Sequence, residues 1–153
     1  MSETARALGM PGQIEWQGKT LTVSRITFAV EAHFEQWLEA NRDRALERCR
    51  GRVGREVYKD RLAEANAQDG ALAFAWTGPV AQQAAWSEAG FRELSFFCLK
   101  EHQPGWTRQQ HEELLADAAK AAELVAVIHR ITAPDPNGRA PGPLPEGEAG
   151  GKP

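Results

Sequence analysis

The sequence has few cysteines and no long apolar run. Its 153 residues include only two cysteines, Cys49 and Cys98, which excludes a scaffold built from several disulfides. We expect both to be reduced thiols. No stretch approaches the roughly 20 apolar residues of a membrane span, and the N-terminal residues lack the apolar stretch of a signal peptide. These absences predict a cytoplasmic protein that does not contact a membrane.

No metal-binding or catalytic motif is complete. Cys98, His102, His111 and Glu112 are metal ligands by type, but they show neither the paired spacing of a structural zinc site nor a complete HExxH motif. Cys49 lies between two arginines, which favours a thiolate, yet no base is placed beside it. We therefore predict no enzyme activity, no metal and no cofactor.

The N-terminal part of the chain alternates in the manner of two short strands. Ile14 and Trp16 alternate with polar residues, and so do Leu21 and Val23. Between the two runs stands Gln17-Gly18, and glycine adopts a positive φ at low cost. The pattern predicts a β-hairpin over residues 13–25. We expect Trp16 to pack against Phe34 and Trp37 of the helix that follows.

The remainder up to residue 132 has helical periodicity. Thr27 is a predicted N-cap, and Thr107 with Gln110 fits a capping box. We expect the segment around residues 91–101 to be the most buried, because it is apolar nearly all round. Whether residues 108–131 form one helix or two is left open by the sequence. The first predicted helix runs from the Thr27 cap to about residue 49, and the second covers residues 55–67. The others are residues 80–102 with a bend at Gly90 and the region 108–131. The second helix is predicted to have an apolar stripe made of Val57, Tyr58, Leu62 and Ala65.

Both ends of the chain differ from this central part. Residues 1–12 carry little periodicity and are predicted to be a flexible N-terminal arm. Residues 133–153 contain six prolines, five glycines and one large apolar residue, Leu144, and are predicted to be a disordered tail. The predicted fold class is therefore mainly α: a single small helical domain over residues 13–132, with an N-terminal β-hairpin and a disordered C-terminal tail.

One segment is locally basic. Residues 42–61 hold eight basic and four acidic residues, whereas the whole chain has a net charge of -3. Clusters of this kind neutralise phosphates in nucleic-acid-binding proteins. Here the acidic residues are interleaved and aromatic residues are scarce, so a solvated helix face is favoured over a nucleic-acid site.

Aromatic residues are plentiful for a chain of this size, with five tryptophans and six phenylalanines. Several of them flank the breaks between helices. Such residues either close the core at helix ends or line a groove for an apolar segment of a partner. The candidates for partner contact are Trp76, Trp86, Phe91 and Trp106.

Two stretches and the order of the predicted elements carry a family resemblance. The stretches are IEWQGKTLTVSRITFAVEAHFEQWLEA and GFRELSFFCLKEHQPGWTRQQHEELLAD. Over roughly residues 13–131 the chain resembles the tail assembly chaperones of long-tailed bacteriophages, prophages and gene transfer agents. The resemblance implies a non-enzymatic protein of the bacterial cytoplasm that binds the tape-measure protein, keeps it soluble, and is absent from the finished particle. It also raises the question of a longer product made by frameshifting.

Two other functions stay open at this stage. One is a structural head-tail connector or minor tail protein, which would remain in purified particles. The other is a small nucleic-acid-binding regulator that uses residues 42–61, whose binding would fall steeply with salt. The sequence decides neither the client segment nor the oligomeric state, and self-association is open as well.

Overall fold

The computed structural model describes residues 11–132, and these confirm the predicted mainly α fold with an N-terminal hairpin. The predictions for residues 1–10 and 133–153 lie outside the described part. The strands are β1 (Gly12–Trp16) and β2 (Lys19–Val23), and the helices are α1 (Phe28–Arg50), α2 (Arg55–Gly70), α3 (Pro79–Ala85), α4 (Glu88–Lys100), α5 (Arg108–Ala116) and α6 (Ala118–Thr132).

The hairpin forms where the alternation predicts it. β1 and β2 pair antiparallel, with Ile14 opposite Leu21. Gln17 and Gly18 both have a positive φ, 49° and 72°, which is the turn geometry that matches the twist of a two-stranded hairpin. Ile14, Leu21 and Val23 are buried, so one face of the hairpin closes the core.

The hairpin packs on α6 and α4 rather than along α1. A Cβ on Gly12 would overlap the Val127 side chain of α6. On the other edge, the Ser24 amide donates a hydrogen bond to the Cys98 carbonyl of α4 at 2.8 Å. The hairpin is therefore held from two sides by helices distant in sequence.

The predicted partner of Trp16 is wrong for this reason. Trp16 contacts Trp106 edge-to-face, with ring centroids 5.3 Å apart. Phe34 of α1 instead stacks on Trp37 at 5.4 Å and meets Trp76 edge-on at 5.8 Å. Because β1 lies across α6, its last residue reaches the loop before α5 and not the face of α1.

α1 and α4 both contribute buried side chains to the core. Thr27 caps α1, its Oγ1 accepting a hydrogen bond from the Val30 amide at 3.3 Å. The last residue that α1 buries is Leu38, although the helix continues to Arg50. The prediction that residues 91–101 form the most buried helix is confirmed, because α4 buries Gly90, Glu93, Leu94, Ser95, Phe96, Cys98 and Leu99.

Two breaks between helices bear on the sequence predictions. One contradicts a prediction, and the other answers a question that the sequence left open. The single helix bent at Gly90 is wrong: the chain breaks at Trp86 and Ser87, and Ser87 caps α4 by accepting from the Gly90 amide at 3.1 Å. The open question about residues 108–131 is settled as two helices. Asp117 separates them, and its Oδ1 accepts from the Ala119 amide at 3.0 Å.

The apolar stripe predicted for the second helix is not buried. Of Val57, Tyr58, Leu62 and Ala65, only Ala65 lies inside. α2 packs chiefly against α1, and it does so where α1 has already left the core. The helical spacing of these apolar side chains is therefore present, but too few other elements pack against α2 to bury them.

Candidate functional site

The four aromatic residues predicted to contact a partner do not form one site. The structure brings Trp86 and Phe91 together, with ring centroids 6.2 Å apart. Trp76 lies elsewhere, against Phe34 of α1. Trp106 is buried, with 4% of its surface exposed. Only the pair of Trp86 and Phe91 thus remains as a shared surface.

A third ring completes this surface. His129 of α6 stacks on Trp86 with centroids 4.1 Å apart and an interplanar angle of 14°. We call Trp86, Phe91 and His129 the aromatic platform. Sequence reasoning missed His129, because no spacing connects a residue near the end of α6 to a break more than forty residues earlier.

The local sequence fixes the position of Trp86. Pro79 begins α3, where a missing amide hydrogen costs nothing, and α3 ends after Ala85 with Trp86 as its C-cap residue. Ser87 then starts α4, and its Oγ donates a hydrogen bond to the Ala84 carbonyl at 2.7 Å. The indole therefore stands at a tight junction of two helices, with its ring supported by a third.

Trp86 is held in this place without being buried. It is 40% exposed, and among the large apolar side chains exposed within residues 11–132 it is the sole tryptophan. Tryptophan is among the residues most often found to dominate the energy of a protein interface. A rigid, half-exposed indole is suited to anchor an apolar partner.

Trp106 contributes to a different feature. It lines a groove of about 190 Å³ between the hairpin turn and the loop before α5, together with Trp16, Leu21 and Gln103. The Gln103 Nε2 donates to the Thr22 carbonyl at 3.1 Å, which ties this loop to β2. The groove is small compared with pockets for drug-sized ligands.

His111 is part of a buried polar cluster. It is fully buried, its Nε2 lies 2.9 Å from the Arg92 carbonyl and 3.1 Å from the Ser95 Oγ, and its Nδ1 accepts from the Trp106 indole at 3.4 Å. Because an indole nitrogen only donates, Nδ1 carries no proton and Nε2–H donates to the Arg92 carbonyl. Burial lowers the pKa of His111 to about 4. The ring joins α4, α5 and the loop between them.

The other candidates from the sequence are dispersed. Cys98 is buried, and burial raises the pKa of its thiol to about 12, so it is protonated at neutral pH. His102 lies in the turn after α4 and is exposed. Within residues 11–132, no three His, Cys, Asp or Glu side chains converge as a metal ion would require.

The basic segment forms the far end of α1, the connecting loop and the beginning of α2. Three of its cations pair with carboxylates: Arg42 with Asp43 and Asp69, Arg50 with Glu47, and Lys59 with Glu56. For the other basic residues Arg44, Arg48, Arg52, Arg55 and Arg61, no carboxylate of the described residues lies within 4.0 Å. All five are exposed, so positive charge is concentrated at this end.

No helix within the described residues 11–132 combines the length and the apolar character needed to cross a membrane. Compared with known protein families, curated proteins and solved structures, the chain shows no match.

Proposed function

We propose that the chain is a non-enzymatic assembly chaperone of a phage-type tail, which binds the tape-measure protein and keeps it soluble during assembly. The proposal starts from the resemblance over residues 13–131 to tail assembly chaperones. The observation that carries it further is the aromatic platform, where Trp86 is 40% exposed and contacts the rings of Phe91 and His129. We assign the client contact to this platform.

The physical requirements of such a role agree with the platform. A tape-measure protein is a long helical chain with apolar stripes that must be covered until the tube forms around it. Covering a helix takes an apolar anchor that is already ordered, because ordering side chains on binding costs affinity. Trp86 meets this requirement, since α3, α4 and α6 fix its ring before any partner arrives.

Replacing Trp86 by alanine tests the assignment. We expect the affinity for the tape-measure protein to fall about thirtyfold, which corresponds to the roughly 2 kcal/mol of an interface hot spot. The measurement is a binding titration with purified proteins, with unfolding curves recorded to verify that the variant is folded. Phe28→Ala is the matched control, because Phe28 is 90% exposed and lies outside the platform.

Other binding results would assign the client contact to a different surface. If Trp86→Ala bound the client normally while Phe28→Ala did not, the platform would not be the contact. If neither changed binding but charge reversal at Arg48, Arg50, Arg52 and Arg55 abolished it, the client would bind the basic end instead.

A further inference from the structure

The aromatic platform lies beside the end of the described chain. His129 is one of its three rings, and α6 ends at Thr132. Three residues of a helix rise by about 4.5 Å, so the chain leaves α6 within one turn of the ring that stacks on Trp86. The residues that follow Thr132 therefore start next to the platform.

The sequence after Thr132 is rich in proline. Residues 133–153 include six prolines, three of which alternate with other residues in the stretch PGPLP at 141–145. We call residues 141–145 the proline segment. Proline-rich sequences favour the polyproline II conformation, which has three residues per turn. In that conformation Pro141 and Leu144 fall on one face, so the proline segment offers a narrow apolar face to a partner surface.

Exposed aromatic rings are the surface that recognises a segment of this kind. Proline-rich segments dock in grooves lined by aromatic side chains, and fixing them costs little entropy because proline restricts the backbone before binding. The platform presents Trp86 with 40% of its surface exposed, and the ring centroids of Phe91 and His129 lie 6.2 Å and 4.1 Å from that of Trp86. The chemistry of the platform therefore matches the apolar face of the proline segment.

The connecting residues are long enough to bring the proline segment back to the platform. Residues 133–140 are eight in number, and an extended chain of that length spans about 26 Å at roughly 3.3 Å per residue. This reach exceeds the single helical turn that separates Thr132 from His129. The connection also contains Pro136-Asn137-Gly138, residue types that favour the turn needed to reverse the direction of the chain.

We propose that the proline segment docks on the aromatic platform of its own chain and covers Trp86 when no client is bound. The segment then competes with the tape-measure protein for the same ring. This regulatory consequence rests on the proposed function, whereas the docking itself does not. Because the segment is tethered to α6, its effective concentration at the platform is of millimolar order, so a weak contact is enough to occupy the ring.

NMR spectra of the isotope-labelled full chain without client test the docking. Each of the five tryptophans gives one indole N–H signal, and Trp86→Phe identifies the signal of Trp86. We expect the double variant Pro141→Ser/Leu144→Ser to shift this signal and to leave the other indole signals in place. A peptide of residues 139–147, added to the double variant at millimolar concentration, should move the signal back towards its wild-type position. Pro153→Ser is the matched control, because it removes a proline outside the proline segment, and it should shift none of the indole signals.

The effect on client binding is measured with the same variants. If the proline segment covers Trp86, the apparent affinity for the client is reduced by the fraction of molecules in which the ring is free. We expect the double variant to bind the tape-measure protein about fivefold more tightly than wild type, and Pro153→Ser to bind like wild type. Unchanged client affinity in the double variant would overturn the competition.

Two results of the NMR experiment would overturn the docking. One is an indole signal of Trp86 that is the same in wild type and in the double variant. The other is a signal that shifts on dilution, together with a dimer in size-exclusion chromatography, because the proline segment would then come from a second copy. A shifted signal in a chain that binds no tape-measure protein would support the docking and contradict the proposed function alone.

Discussion

Replacing Gly90 by alanine is expected to lower the free energy of unfolding by about 3 kcal/mol. A Cβ at this position would overlap the Ala84 carbonyl oxygen and would lie 2.6 Å from the carbonyl carbon. The obstacle is backbone and not a flexible side chain, so α3 and α4 would have to move apart. Alanine favours a helix over glycine by about 1 kcal/mol, so the local preference acts in the opposite direction and does not explain a loss.

Gly70→Ala is the matched control for this experiment. Gly70 also lies in a helix, at the end of α2, and a Cβ there would meet nothing within 4 Å. We expect no loss of stability, or a gain of up to about 1 kcal/mol. Urea denaturation of both variants gives the comparison, and equal effects would contradict the close approach of α3 to α4.

Lowering the pH from 7 to 4 is expected to remove about 3 kcal/mol of stability through His111 alone. Burial lowers the pKa of this histidine in the folded protein to about 4, from an ordinary value of 6.5. The unfolded chain therefore binds the proton first as the pH falls. The contribution is complete above pH 6.5, decreases between pH 6.5 and about 4, and stays constant below.

The measurement compares wild type with His111→Gln at several pH values. Glutamine does not titrate, and its amide hydrogen can still donate to the Arg92 carbonyl that the His111 Nε2 contacts. All other titratable groups are common to both proteins, so their effects cancel in the difference. The free energy of unfolding of wild type minus that of the variant should fall by about 3 kcal/mol between pH 7 and pH 4. If the two free energies instead changed in parallel with pH, the ring would not be buried as described.

Local signals account for the parts of the fold that the sequence predicts. The turn at Gln17-Gly18, the cap at Thr27 and the capping box of Thr107 with Gln110 each act within a few residues. The break at Ser87, which the sequence analysis missed, and the break at Asp117, which it left open, are different. Serine and aspartate are found both at helix caps and on exposed helix faces. Gly90 looked like a bend, yet its lack of a side chain permits two helices to touch.

The candidate site likewise combines contacts between residues that are near in sequence with contacts that arise only from the packing of distant helices. Trp86 and Phe91 are near each other in sequence and meet in space, whereas His129 joins them only through the packing of α6. Trp106 was a candidate because it follows a break, and the structure uses it to contact Trp16 and His111. Periodicity identifies an apolar face but does not say whether the fold supplies a partner for it, as α2 illustrates.

The most direct test of the proposed function is the solubility of a tape-measure protein in the presence of this chain. A tape-measure protein would be expressed alone and together with the wild-type chain, and the soluble fraction and the purified complex would be measured. We expect it to be insoluble alone, and soluble and bound to this chain when both are expressed. A tape-measure protein that is soluble alone and forms no complex would contradict the account.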